Sequence, residues 1–197
     1  SLDDQIYVAA PDGANPINLT RDDQSYNYNG AISPDGTKLL FESYRGDNAA
    51  DLFVMNADGG GLINLTANSP AHDMCPSWSP DRSKILFVRG DRLYTMDSDG
   101  SGQAMLVDVT LTSGDWSPDG TKIAANGERS GSNDIAVVNA DGAGFTWVTS
   151  AANHEAYPRW SPDGTRLLLD YYTSNSSPYA ELYTMLPDGT DLVGLTS

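Results

Sequence analysis

The sequence predicts an all-β fold, a β-propeller of four-stranded antiparallel blades whose ring is incomplete within one chain of 197 residues. Three observations predict it. Ser-Pro-Asp-Gly stands at 33–36, 117–120 and 161–164, and once more at 79–82 with Arg82 in place of the glycine. Asp-Gly recurs at Asp12, Asp58, Asp99, Asp141 and Asp188, in steps of 46, 41, 42 and 47 residues, within the range of about 40–50 that marks blade-type repeats. The apolar runs beside these markers are strand-length, too short for helices.

Every repeat is assembled from the same parts. Before each Asp-Gly lies one apolar run: Ile6-Tyr7-Val8, Leu52-Phe53-Val54-Met55, Leu93-Tyr94-Thr95-Met96, Ile135-Ala136-Val137-Val138 and Leu182-Tyr183-Thr184-Met185. These runs are rich in β-branched and aromatic residues and apolar on both parities, so both faces of the strand are expected to be buried between neighbouring sheets. Seven residues after each Asp comes Leu19, Leu65, Leu106, Val148 or Leu195, which makes Asp-Gly the turn of an outer hairpin. In Ser-Pro-Asp-Gly, proline pre-sets φ and aspartate bonds its own backbone. It links a strand ending in Ile32, Trp78, Trp116 or Trp160 to one beginning at Lys38, Lys84, Lys122 or Arg166. Such a unit cannot bury both faces alone, and repetition around an axis supplies the neighbours. The tryptophans are expected in the inter-blade cores.

Five outer hairpins and four inner ones make eighteen strands, or four and a half blades. They divide a single domain, 1–197, into a half blade at 1–20 and repeats at 21–66, 67–107, 108–149 and 150–197. A closed six-bladed ring would need roughly 250 residues at this repeat length. Open strand edges template further pairing, so self-association through the blade edges is expected.

The stretches PSWSPDRSKILFVRGDRLYTMDSDG at 76–100, PRWSPDGTRLLLD from 158 and ELYTMLPDG from 181 resemble the repeats of TolB-like propellers. The resemblance implies a six-bladed ring with the tryptophan-bearing strand nearest the axis. It also implies a non-catalytic protein-interaction scaffold in the periplasm or outside the cell, with a protein partner such as an envelope lipoprotein or a translocating segment. Similar blades occur beside peptidase domains and in polysaccharide lyases. A fragment of a glycan-active or metal-dependent propeller, and an engineered or excised repeat array with no ligand, therefore stand as alternatives.

Composition narrows the classes. A net charge of −16 argues against nucleic acid and anionic membrane surfaces, which require basic patches, and permits a basic protein partner or cations. Many of the acids are the turn aspartates themselves, so part of this charge is a by-product of the repeat. No transmembrane helix or signal peptide is expected, and Ser1 fits a mature or excerpted chain. The single cysteine, Cys75, is expected to be a small buried residue beside Trp78.

Candidate chemistry lies six and seven positions before the repeated serine. His72-Asp73 and His154-Glu155 occupy equivalent places there, with Tyr26-Asn27 and Thr110-Leu111 in the other copies. Entering the innermost strand, these pairs are expected to rim a central channel together with Tyr26, Tyr28 and Tyr157. Imidazole and carboxylate suit a divalent cation at the channel mouth or acid–base work, with polar channel lining as the plainer reading. No cofactor and no catalytic residue are expected. Arg-Gly-Asp at 45–47 and 89–91 reads as charged glycine turns. The acids at 21–23 and 47–51 lack the spaced oxygen ligands of a calcium loop. No Gly-x-Ser-x-Gly, phosphate loop or zinc spacing is present.

Overall fold

The computed structural model describes residues 4–21, 25–45, 49–150, 153–172 and 180–196. The Arg-Gly-Asp at 45–47 and the acids at 22–23 and 47 lie wholly or partly outside these residues. The described residues are all-β, in eighteen strands. A half blade pairs β1 (Tyr7–Val8) with β2 (Ile17–Asn18). Four antiparallel four-stranded meanders follow. Blade one is β3 (Tyr26–Ile32), β4 (Lys38–Tyr44), β5 (Ala50–Asn56) and β6 (Ile63–Asn64). Blade two is β7 (Asp73–Trp78), β8 (Lys84–Arg89), β9 (Arg92–Asp97) and β10 (Ala104–Met105). Blade three is β11 (Ser113–Trp116), β12 (Lys122–Arg129), β13 (Ser132–Asn139) and β14 (Thr146–Trp147). Blade four is β15 (His154–Trp160), β16 (Leu167–Tyr172), β17 (Glu181–Met185) and β18 (Val193–Gly194). The first strands β3, β7, β11 and β15 contact one another in sequence and form the inner wall of an arc of four blades that does not close into one ring.

Local chemistry explains the regularity. In each Ser-Pro-Asp turn the serine hydroxyl donates to the aspartate, which also accepts the backbone N–H two residues on, as in Ser117 Oγ to Asp119 Oδ1 at 2.6 Å and Thr121 N to Asp119 Oδ1 at 3.0 Å. The same serine oxygen accepts the N–H that opens the next strand, Lys122 N at 2.9 Å. In the Asp-Gly turns Asn56 N donates to Gly60 O and Asn139 N to Ala143 O, each closing a five-residue loop around a glycine at positive φ.

Each core lies between two blades. Leu40, Leu52, Val54 and Leu65 of blade one meet Ile85, Phe87 and Met96 of blade two, with Trp78 packed alongside. Trp116 and Ile123 of blade three close on Leu86, Val88 and Leu93. Ala124, Ile135 and Val137 face Leu167, Leu169 and Met185, with Trp160 beside them. Ile6 and Leu19 of the half blade cover Leu39, Phe41 and Met55. Fully burying one such side chain contributes roughly 1.5–3 kcal/mol, so these seams dominate the stability of the arc.

Two expectations change. Both faces of the strand before Asp-Gly are buried in β5 and β13 but not in β1 or β17, because no further described sheet covers the far side of blade four or completes the half blade. Cys75 is only half-buried. It occupies a bulge in the inner strand, at the edge of the core between blades two and three, against which it packs.

Candidate functional site

A proline cannot donate to a β-ladder and marks an interruption in a strand. Cys75-Pro76 and Tyr157-Pro158 stand in the inner strands of blades two and four, and Asn29-Gly30 at the matching place in blade one. The ladder slips there, between Met74 and Ser77, Ala156 and Arg159, and Tyr28 and Ala31. The residue ahead of each break adopts a left-handed backbone, with φ of 52° at Asn29, 52° at Cys75 and 51° at Tyr157. These are β-bulges, which bend a strand and re-aim its side chains. Blade three lacks the left-handed residue: β11 pairs regularly with β12 from Ser113 to Trp116, and its register slips one residue earlier, where Thr112 N also donates to Asn126 O at 2.9 Å.

The preceding blade explains the difference. Glu42 on β4 accepts the Cys75 N–H at 3.0 Å, and Asn126 on β12 accepts the Tyr157 N–H at 3.1 Å. The equivalent place on β8 is Val88, an apolar residue in the core, and it packs against blade three, whose inner strand keeps its ladder bonds from Ser113 to Trp116. A bulge amide that leaves its ladder needs another acceptor, and blades one and three supply one to the bulged blades that follow them.

The aligned bulges put Asn29, Cys75, Ser77, Gly114, Tyr157 and Arg159 along one axial groove of about 360 Å³, built from all four inner strands. Tyr157 is 57% exposed. Arg159 lies 3.6 Å from Asp115, whose carboxylate also accepts the Trp160 N–H at 2.8 Å. Burial raises the Asp115 pKa against the opposing pull of that amide and of Arg159. Burial, with the Glu42 charge added, also raises the Cys75 thiol, leaving it protonated and a poor nucleophile at neutral pH. A second cleft of about 520 Å³, lined by Tyr26, Tyr28, Glu42 and Tyr44, shares Asn29 with the groove. A hydrogen bond to Asp4 pushes the Tyr28 phenol up to about 12.

Of the seven residues selected from sequence, Tyr157 lies in the groove and Tyr26 and Tyr28 in the adjoining cleft. The two His-acid pairs sit apart, each in its own blade junction. His72 Nδ1 accepts the Ala50 N–H and His154 Nδ1 the Asn133 N–H, both at 3.1 Å, tying inner strands to the third strand of the preceding blade. Asp73 is fully buried and held by Arg89 at 2.6 and 3.0 Å. Glu155 is buried and accepts the Thr149 hydroxyl at 3.1 Å. Among the described residues no group of three or more His, Cys, Asp or Glu side chains is arranged to hold a metal ion. Asn29, Cys75 and Arg159 were not selected from sequence, although Asn-Gly and the strand prolines carried the signal.

No family model and no curated protein matches the chain by sequence. Solved structures match its shape. A protein assigned as TolB from Agrobacterium tumefaciens superposes with a TM-score of 0.79 at 21% identity, over 96% of this chain and 79% of that one. TolB from Acinetobacter baumannii gives 0.81 at 18%, over 98% of this chain and 48% of that one, so the chain spans about half the length of that protein. An oligogalacturonate lyase from Vibrio parahaemolyticus gives 0.69 at 15%, over 95% and 58%. The fold is that of a TolB-like β-propeller. Because the same architecture appears under a lyase, function has to be argued from the groove.

Proposed function

We propose that the chain is a non-catalytic protein-interaction scaffold that receives an extended polypeptide segment in the axial groove. The observation that carries this reading is the alignment of three bulges, which turn Asn29, Cys75 and Tyr157 toward one space that also holds Arg159. An exposed aromatic beside a guanidinium is the pairing that dominates protein-binding hot spots. The likeness to TolB supports an envelope lipoprotein or a translocating segment as partner and the periplasm or cell exterior as location. Phage-displayed extended peptides selected on the folded chain provide the test. They should compete for one site and be lost from a Tyr157→Ala/Arg159→Ala variant of unchanged melting temperature. Retention by that variant would overturn the groove as the site.

A second reading, self-association, is favoured by the outer face of blade four. Leu168, Leu182 and Leu195 are 38–56% exposed there, whereas Leu40, Leu52 and Leu65, which match them in blade one, are buried under blade two. Asp170 stands at the place where Glu42 and Asn126 accept a bulge amide from the following blade. Light scattering across a dilution series should show a discrete oligomer that Leu182→Asp dissociates. A monomer at every concentration removes this reading and leaves the groove reading intact.

A further inference from the structure

The junctions ahead of blades two and four are built on the same plan. Leu52 N donates to Thr66 Oγ1 and Ile135 N to Thr149 Oγ1, each at 2.9 Å. Ala50 and Asn133 donate to their respective histidines at equal distance. Asp51 thus corresponds to Asp134, Asp73 to Glu155 and, through the registers Asp73–Arg89 and Glu155–Tyr171, Arg89 to Tyr171.

At that last position the two junctions part. In blade two Arg89 grips Asp73 with two hydrogen bonds while its guanidinium lies 5.2 Å over the ring of Tyr94. In blade four Tyr171 fills the same space, stacked at 4.3 Å on Tyr183, the counterpart of Tyr94. Glu155 is therefore as buried as Asp73, at 1% against 0% exposure, but has a phenyl ring where Asp73 has a cation. A buried charge is tolerated only when it is paired and hydrogen-bonded.

We propose that the junction between blades three and four is a pH-sensitive latch: Glu155, buried beside Asp134 without the arginine of the matching junction, seats blade four firmly when protonated and loosens it when ionised.

Several elements pack around Glu155. From β13, Asp134 faces it, 2% exposed and adding like charge. Arg129, at the end of β12, lies 3.9 Å from Asp134 and donates to Thr149 O at 3.3 Å, so its charge is spent on the Asp134 side. Thr149, after β14, donates to Glu155. On the carboxylate's own strand, His154 has Nδ1 engaged by Asn133 and a buried Nε2 with no partner among the described residues. From β16, Tyr171 stands opposite, its hydroxyl accepting from Asn153. Burial pushes Glu155 up to about 7, and the same cause raises Asp134.

With the folded carboxyl titrating above its unfolded value, the folded state holds the extra proton, so stability is greatest below about 4.5, falls as pH rises to about 7 and is level beyond. The latch is a property of the fold and stands whether or not the groove binds a partner.

Hydrogen exchange of the whole chain at pH 5 and pH 8, corrected for intrinsic rates, tests this on the wild type, Glu155→Gln and Tyr171→Arg. The opening equilibrium of β15–β17 should rise on the order of a hundredfold at the higher pH in the wild type, since a pKa displaced by one pH unit corresponds to a factor of about ten, with β8 and β9 unchanged. Glu155→Gln should abolish the rise. Tyr171→Arg, which restores the arrangement of blade two, should abolish it with the carboxylate still present. An equal rise in all blades, or a rise in β15–β17 that survives both substitutions, would overturn the latch.

Discussion

Gly13 and Gly142 share one backbone conformation, with φ of 79° and 85°, but not one environment. A methyl at Gly13 would meet nothing within 4 Å, whereas at Gly142 it would lie 2.5 Å from the carbonyl oxygen of Leu106 in the previous blade. Gly13→Ala should cost about 1–2 kcal/mol, the conformational penalty alone. Gly142→Ala should cost roughly 3 kcal/mol or more, because two blades must also be pushed apart, and urea unfolding of the two variants measures the difference. The turn aspartates set the acid limb of stability. Hydrogen bonds from Ser79 and Ser83 hold Asp81 down at about 2, and those from Ser161 and Thr165 do the same for Asp163. A carboxyl titrating below its unfolded value stabilises above about 3.8 and loses that contribution as pH falls toward 2. Thermal melts of Asp163→Asn should accordingly show a shallower decline from pH 4 to pH 2 than the wild type. At this scale the proline and aspartate roles in the turns were legible, because those contacts are local in the chain, whereas the serine, which donates to the aspartate and accepts the N–H five residues on, was not read.

Among the elements, the strand before Asp-Gly shows how one pattern meets two fates. Leu52 and Leu182 hold equivalent places in β5 and β17, yet the first is fully buried and the second 39% exposed. Leu52→Ala should destabilise by about 2–5 kcal/mol and Leu182→Ala by about 1 kcal/mol or less, by chemical denaturation under conditions where the chain is monomeric. A near-equal loss would mean that blade four is covered in solution. Glu42→Ala strands the Cys75 amide and should cost about 1–3 kcal/mol, with Glu42→Gln sparing most of it because an acceptor remains. Strand number and hairpin order were legible from period and turn residues. The bulges were only half legible: proline and Asn-Gly announce an interruption, but that three interruptions converge on one groove depends on the packing of β3, β7, β11 and β15 side by side. The His-acid pairs, read as a channel rim, sit in blade junctions because their partners, Ala50, Arg89 and Asn133, come from other strands.

As a whole the molecule is an arc in which each blade touches only its neighbours, the condition under which unfolding can proceed blade by blade. Blade four has one covered face and an uncompensated carboxyl at its junction, and blades one to three are covered on both sides. Exchange protection is therefore expected to fall from β8 and β12 toward β16 and β17. A net charge of −16 opposes self-association, and screening at an ionic strength of 0.1 M reaches about 10 Å. Any oligomer formed through the apolar face of blade four should accordingly strengthen from 20 to 500 mM salt, a trend that sedimentation can follow. Weakening with salt would point instead to an interface held by charge.

The all-β class, the eighteen strands, their order and the chemistry of every repeated turn were decided locally, by period, by glycine and by short-range hydrogen bonds that survive translation into any fold. Tertiary structure alone decided which of two identical apolar faces is buried, which bulge finds a cap, and which of two matching carboxyls meets a cation. Those outcomes depend on the neighbouring blade, and a repeat carries no record of what stands beside it until the chain has folded.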